Sequence, residues 1–267
     1  MKKNINDSIV IKKLKFSYGD NIVLNDIGIS LEKGKFYSVI GPNGSGKTTL
    51  AKYIAKLVDV QGEKVFVEGE DIKKMSAKVI AKKISCVPQN TSIDYDFSVM
   101  DIVLMGRAPY MGRFQSESES DIKIAKRAMD ITKVWHLRDK KINQISGGER
   151  QRVIIARTIT QDTDLMILDE PISNIDIQHQ IGLLDTIKNL NKEKNLTVIA
   201  ILHDLNLAAQ YSDEIILMNE GEIISFGRAE AVLTKKNIKN VYNLDVNLIE
   251  NPMTGKPYII PIYNQFS

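Results

Sequence analysis

Short apolar runs alternate along this chain with longer stretches whose apolar positions recur every three or four residues. The runs KFYSVI (35–40), ISCVP (84–88), DLMILDE (164–170), LTVIAIL (196–202) and EIILM (214–218) read as buried strands. The stretches KTTLAKYIAKL (47–57), DIKIAKRAMDITKV (121–134) and GERQRVIIARTI (148–159) read as helices with one apolar face. Strands alternating with helices predict an α/β fold with a largely parallel sheet.

Two regions depart from that rhythm. SIVIKKLKF (8–16) and the segments up to Ser30 read as antiparallel β structure, with a turn at Tyr18-Gly19-Asp20. KVFV (64–67) reads as a further strand, closed by a hairpin turn at Glu68-Gly69. Residues 90–161 are mainly helical: FSVMDIVLMGR (97–107) starts with Ser98 as N-cap, and SESES (116–120) reads as a polar loop. The pattern therefore predicts a core over about 8–89 and 162–228 with a helical subdomain inserted at about 90–161. A C-terminal extension, about 229–267, reads as two short helices and a β-hairpin around NPMTGK.

Composition narrows the setting. A hydrophobic content of 43% with 26% charged residues is that of an ordinary globular protein, and 267 residues supply ample core. A net charge of +3 lacks the basic footprint expected of a nucleic-acid partner. No apolar run approaches the ~20 residues of a membrane-spanning helix, and MKKNINDSIVIKKLKF lacks the apolar stretch of a signal peptide. The single cysteine, Cys86, excludes an intrachain disulfide and suits a reducing compartment. Any membrane association is expected to come through partners.

The chemistry begins at GPNGSGKTT (41–49), which fits G-x-x-x-x-G-K-[ST] between an apolar strand and a helix. Gly41, Pro42, Asn43, Gly44, Ser45 and Gly46 form a loop whose backbone N–H groups can approach phosphate oxygens. Lys47 neutralises the β and γ phosphates, the Thr48 hydroxyl ligates Mg²⁺, and Thr49 completes the motif. DLMILDEP (164–171) then supplies Asp169 to hold the Mg²⁺ and Glu170 to polarise the attacking water, although two such carboxylates also suit an exposed turn before Pro171. Gln89 follows the strand ISCVP and His203 follows LTVIAIL. In open α/β sheets, ligands bind beyond the carboxyl ends of the strands, so Gly41, Gln89, Asp169 and His203 are expected to converge on one γ-phosphate. ISGGERQ (145–151) places Ser146, Gly147 and Gly148 at a helix N-terminus, a natural anion cradle and equally an ordinary N-cap.

Over residues ~8–230 the chain resembles the nucleotide-binding subunits of ATP-binding cassette (ABC) transporters, with every family element in order. GPNGSGKTT is similar to the Walker A loop, LMILDE to Walker B, SNID (173–176) to the D-loop, and ISGGERQ to the family's own signature. The resemblance implies the ABC ATPase fold: a P-loop NTPase core with an antiparallel β subdomain and an inserted helical subdomain. It implies that Tyr18 stacks on adenine, that Gln89 senses Mg²⁺ and the membrane partner, and that His203 is the switch histidine. Ile145 stands where Leu is usual and Ile172 where Thr is common, and neither change removes a catalytic group. The resemblance further implies a homodimer in which the Ser146-Gly147-Gly148 turn of one chain caps the ATP held by the other.

The same resemblance implies an importer. SVMDIVLMGRAPYMGRF (98–114), NLAAQYSDEIILMNEGEIISFG (206–227) and the tail ending near NPMTGKPYIIPI are similar to the branch serving iron–siderophore complexes, haem and cobalamin. Iron chelate is the first expectation for cargo, then haem and cobalamin, with manganese or zinc a weaker alternative. The implied partners are integral-membrane permease subunits and, indirectly, an extracytoplasmic substrate-binding protein. The protein is then peripheral, at the cytoplasmic face of the cell membrane. Phe97, Val99, Met100, Met105 and Tyr110 either line a groove for a permease helix or form the subdomain's core. The rival class is a soluble ABC ATPase acting on ribosomes or DNA. Such proteins usually carry two cassettes or a long coiled-coil insertion, and neither is present.

Overall fold

The computed structural model of the protein describes residues 7–89, 96–112, 115–173 and 175–262. Part of the expected Gln89 loop, Asn174 of SNID and the last five residues of the tail lie outside them. The first strands, β1 (Asp7–Tyr18) and β2 (Asn21–Glu32), form the antiparallel hairpin read from the sequence, with Tyr18 opposite Asn21. The strand β3 (Phe36–Ile40), buried at every position, leads through the glycine loop into α1 (Lys47–Ile54). A short hairpin follows, β4 (Val65–Val67) and β5 (Glu70–Asp71), turned at Glu68-Gly69. Next come α2 (Ala77–Lys83), capped by Ser76, and β6 (Ile84–Val87).

The helical block contains α3 (Val99–Leu104), a 3₁₀ segment at Met105–Tyr110, α4 (Glu119–Ile131) and α5 (Gly147–Thr160). Ser98 caps α3 as expected. The polar stretch at 116–120 differs from its reading as a loop, because α4 already begins at Glu119. Ser118 and Asp121 form a reciprocal capping box that makes the second half of SESES the first turn of a helix. The chain continues with β7 (Leu165–Asp169), α6 (Ile177–Lys194), β8 (Thr197–Ile201), α7 (Leu205–Tyr211), β9 (Glu214–Asn219) and β10 (Glu222–Gly227). It closes with α8 (Ala229–Val232), α9 (Lys235–Tyr242) and the hairpin β11 (Val246–Glu250) and β12 (Pro257–Pro261).

The chain divides into two compact units, Met1–Lys74 with Thr197–Ser267, and Met75–Leu196. In the first unit, β2, β1, β4 and β5 form an antiparallel sheet, while β3 lies between β8 and β9, parallel to both. Such strands are covered on both faces, which is why β3 and β8 read as unbroken apolar runs rather than alternating ones. In the second unit, β6 pairs parallel with β7, and α3, α4 and α5 pack on one another around Val99, Ile102, Ala125, Met129, Val153 and Ile154. Among the described residues, no helix is long and apolar enough to cross a membrane.

One buried ion pair ties the helical block together. Arg107 Nε donates to Asp121 Oδ1 at 2.8 Å, its Nη1 donates to the Thr160 carbonyl at 3.0 Å, and its guanidinium lies 4.0 Å over the Tyr110 ring. The other Asp121 oxygen accepts from the Ser118 hydroxyl at 2.6 Å and the Ser118 N–H at 3.0 Å. The Ser118 hydroxyl, followed by the Arg107 guanidinium, lowers the Asp121 carboxyl to about 2. A carboxyl held below its unfolded value of about 3.9 stabilises the fold fully above that value and loses its contribution as pH falls to about 2. Asp121→Asn is therefore expected to destabilise the protein by about 2 kcal/mol at neutral pH. That deficit should shrink below about pH 4 and vanish near pH 2, as read from urea unfolding midpoints of both proteins. A deficit that stays constant with pH would show that shape, not charge, makes the contact.

Candidate functional site

The glycine loop is shaped by how closely it lies on neighbouring backbone. A Cβ on Gly41 would sit 2.2 Å from the Met218 carbonyl oxygen, and one on Gly46 would sit 2.8 Å from that of Val23. Gly46 also takes φ +97 as the N-cap of α1, where a side chain would be strained. No side chain caps α1, and the helix end adds partial positive charge beside the loop. Ser45 Oγ is buried and makes no hydrogen bond, a rarity inside a folded protein and a mark of a site awaiting an acceptor or donor. Lys47 is only 5% exposed, and its Nζ donates to the carbonyls of Gly41 at 2.9 Å and Pro42 at 2.8 Å. Its ammonium is thus folded over the loop it is expected to serve. Asn43 and Gly44 form the exposed tip, Pro42 and Thr48 are half-buried, and Thr49 is buried behind them. These features fit a polyphosphate, because donors, cation and an unfilled buried hydroxyl all belong to one loop.

Two residues near this loop were not singled out by the sequence. The Glu220-Gly221 turn between β9 and β10 braces it: the Gly221 N–H donates to the Ser45 carbonyl at 3.2 Å, and the Gly221 carbonyl accepts from Asn25 N–H at 2.8 Å. The readable signal was NEGE, a two-residue hairpin turn. The other is Tyr242 of α9, whose hydroxyl has the Gly41 backbone as polar partner while burial pushes its pKa well up. Tyr18, the expected adenine platform, is 50% exposed at the end of β1. Its ring meets Phe16 edge-on at 4.9 Å, and Phe16 meets Tyr53 of α1 at 5.6 Å, so aromatic contacts tie it to the loop's own helix.

The remaining residues follow the ends of paired strands. Val39 faces Ile201 across β3 and β8, and Gly41 and His203 come two residues later in each chain segment. In the second unit Val87 faces Leu168, with Gln89 and Glu170 two residues beyond. Asp169 is 2% exposed at the end of β7, and Glu170 follows with φ +54, a left-handed conformation uncommon outside glycine and asparagine. The Glu170 carbonyl accepts from Ser173 Oγ at 2.9 Å, which holds this turn. Gln89 and His203 are exposed at their strand ends.

The Ser-Gly-Gly turn also proves to be an N-cap. Ser146 Oγ accepts from the Glu149 N–H at 3.3 Å, and both the Ser146 N–H and hydroxyl donate to Glu149 Oε2 at 2.8 Å. Those bonds lower the Glu149 pKa, the one from the Ser146 backbone most. Ser146 and Gly147 are nonetheless exposed, with open space around Gly147 where a side chain would go. Gln151 of the same helix donates to the Pro171 carbonyl at 2.8 Å, which fixes α5 against the turn after Glu170. The imidazole of His179 lies against Gly148 and bonds Asp176, the N-cap of α6, at 2.5 Å. Of the apolar residues read as groove or core, Val99 is core and Met100 half-buried, whereas Phe97, Met105 and Tyr110 are exposed. Ile145 and Ile172, the two departures in the motifs, are both buried.

Comparison with known proteins agrees with this geometry. A family model described as "ABC transporter" matches residues 24–173. The ferric enterobactin transport ATP-binding protein of Escherichia coli is 35% identical over 94% of this chain and 93% of its own length. The iron(3+)-hydroxamate import ATP-binding protein of Bacillus subtilis is 36% identical, again over 94% and 93%. Among solved structures, a metal-chelate type ABC transporter in an inward-facing conformation superposes with a TM-score of 0.83 at 28% identity, covering 97% of this chain and 98% of that one. A dimeric cassette in a post-hydrolysis state, bound to ADP and Pi, superposes with a TM-score of 0.73 at 25% identity, covering 82% and 98%. The chain belongs to the ABC transporter family, and within it to the subunits that bind and hydrolyse ATP.

Proposed function

We propose that this protein is the ATPase of an importer for an iron chelate, ferric siderophore first, with haem and cobalamin as the next cargoes. The observation that carries this reading is the reach of the similarity: relatives named for siderophore import match 94–95% of the chain, tail included, and not the ATP-binding motifs alone. The protein then sits at the cytoplasmic face of the membrane, held by permease subunits that an extracytoplasmic substrate-binding protein supplies with cargo. Phe97, Met105 and Tyr110 offer exposed apolar surface to a permease helix.

Within that role each residue has a task. Tyr18 stacks on adenine, the loop from Gly41 to Gly46 wraps the phosphates with N–H donors, and Lys47 moves from its own loop's carbonyls to the phosphate oxygens. Thr48, Asp169 and Gln89 would hold Mg²⁺, whose charge would supply Lewis-acid stabilisation to the phosphates. Glu170 accepts a proton from water as the water oxygen bonds to the γ-phosphorus. The bond to the bridging oxygen breaks and its electron pair leaves with ADP. His203 supplies a hydrogen bond to the γ-phosphate or the attacking water. Ser146, Gly147 and Gly148 cap the γ-phosphate of the second chain in a head-to-tail homodimer. The capping box keeps that helix end formed before the partner's nucleotide arrives. Hydrolysis removes the contact between the two chains, and the difference in ATP affinity between closed and open dimers does the work of transport.

Lys47→Ala is expected to weaken equilibrium binding of ATP with Mg²⁺ by about ten- to a hundredfold, the loss of one charge-assisted contact. Glu170→Gln should bind ATP normally, lose turnover by more than about a hundredfold and accumulate as an ATP-bound dimer, visible by light scattering. Retained turnover would make Glu170 a structural carboxylate. Deleting the gene in the source organism should abolish uptake of labelled ferric siderophore, with haem and cobalamin uptake compared in the same strain. Unchanged uptake of all three, with no paralogue substituting, would overturn the cargo class and leave the ATPase intact.

A further inference from the structure

The C-terminal extension reaches the nucleotide end of its unit at specific points. The helix α7 begins two residues after His203 and has only seven residues, too few for a helix to hold its shape without tertiary contacts. Asp204 caps it, accepting from the N–H groups of Asn206 at 2.8 Å and Leu207 at 3.0 Å. Beyond that cap, the extension holds α7 at both ends. At the first turn, Asn206 Oδ1 accepts the Ile259 N–H at 2.7 Å and Asn206 Nδ2 donates to the Ile259 carbonyl at 3.2 Å. One side-chain amide thereby pairs with β12 as a neighbouring strand residue would. At the last turn, Lys256 Nζ donates to the carbonyls of Ser212 at 2.7 Å and Gln210 at 3.2 Å, a cation on the negative end of the helix. Ile259 is buried between these points. The Tyr242 hydroxyl, on α9 of the same extension, lies against the backbone of Gly41. Gly41 and His203 each follow, by two residues, the last pair of the β3–β8 register, Val39 and Ile201.

We propose that the hairpin of the C-terminal extension positions His203, with Asn206 and Lys256 as the positioning residues. This rests on the reading above that His203 acts on the γ-phosphate or the attacking water. The Asn206 amide fixes the first turn of α7 against β12, and that turn fixes the two-residue link back to His203. The extension therefore governs turnover, while ATP binding stays with the glycine loop. The side-chain hydrogen bonds of Asn206 go to Ile259, so it acts through the placement of His203.

The test uses the full-length subunit with Asn206→Ala, Lys256→Met, His203→Ala and the double variant Asn206→Ala/His203→Ala. ATP affinity is read by equilibrium binding, and turnover both as kcat and as a single-turnover rate with excess protein. Asn206→Ala is expected to lower kcat by about ten- to a hundredfold, the scale for a displaced catalytic group, with ATP affinity within about twofold of wild type. In the His203→Ala background the same substitution should cause no further loss of the single-turnover rate. Wild-type kcat in Asn206→Ala beside a slow His203→Ala would overturn the proposal, as would equal losses with and without His203. Full turnover in His203→Ala would instead remove the reading of the site on which the proposal rests. Should Asn206→Ala fail to fold, Lys256→Met, alone and combined with His203→Ala, decides by the same criteria.

Discussion

The nucleotide end of this protein depends on a backbone contact too close for any side chain. Gly41 and Gly46 lie on the carbonyls of Met218 and Val23 at distances that a Cβ would reduce to 2.2 and 2.8 Å. That proximity holds the loop close against the backbone that packs on it. The contact fixes Gly221 as well, since its carbonyl and N–H link Asn25 to Ser45. Lys47 completes the arrangement by donating to two carbonyls of the same loop, which keeps its ammonium beside it.

A second economy runs through the helical block. Ser98 with Asp101, Ser118 with Asp121 and Ser146 with Glu149 form the same reciprocal cap on three consecutive helices. In α4 the cap carboxylate also serves the buried Arg107, which joins the 3₁₀ segment to the end of α5. In α5 the cap leaves Ser146 and Gly147 exposed, so a structural device and the proposed anion site can share one turn. The two readings of that turn are therefore compatible. The cap satisfies only part of the first turn's N–H groups, and the remainder can face a phosphate.

Within each unit, parallel pairing ends strands that are far apart in sequence together. Val39 faces Ile201 and Val87 faces Leu168, so Gly41 and His203 follow one pair of strand ends and Gln89 and Glu170 the other. Loops and helices continue from these ends. Here one of them, α7, is held from outside by Asn206 and Lys256. An extension that carries none of the ATP-binding motifs is in this way connected to the residue that follows β8.

Much of this was legible in the sequence because the determining forces are short-ranged. The Ser98 cap and the Glu68-Gly69 turn each depend on residues within a few positions of one another, and the structure has both. The glycine loop and the acidic pair are equally local, and follow β3 and end β7 as read. The first turn of α4 was local too: S-x-x-D at 118–121 outranked the polar composition that suggested a loop. The strand β10 escaped because its alternate positions are only half-buried, and α2 because a single buried residue, Ile80, gives it no apolar stripe. Only the tertiary structure decided that Val99 is core while Phe97, two residues earlier, is exposed. It alone set Gly221 under Ser45 and Asn206 against Ile259, partners separated by long stretches of chain. Sequence fixes which groups can cap, turn or carry charge; which distant backbone they meet is set by sheet register and helix packing, and no local signal encodes that.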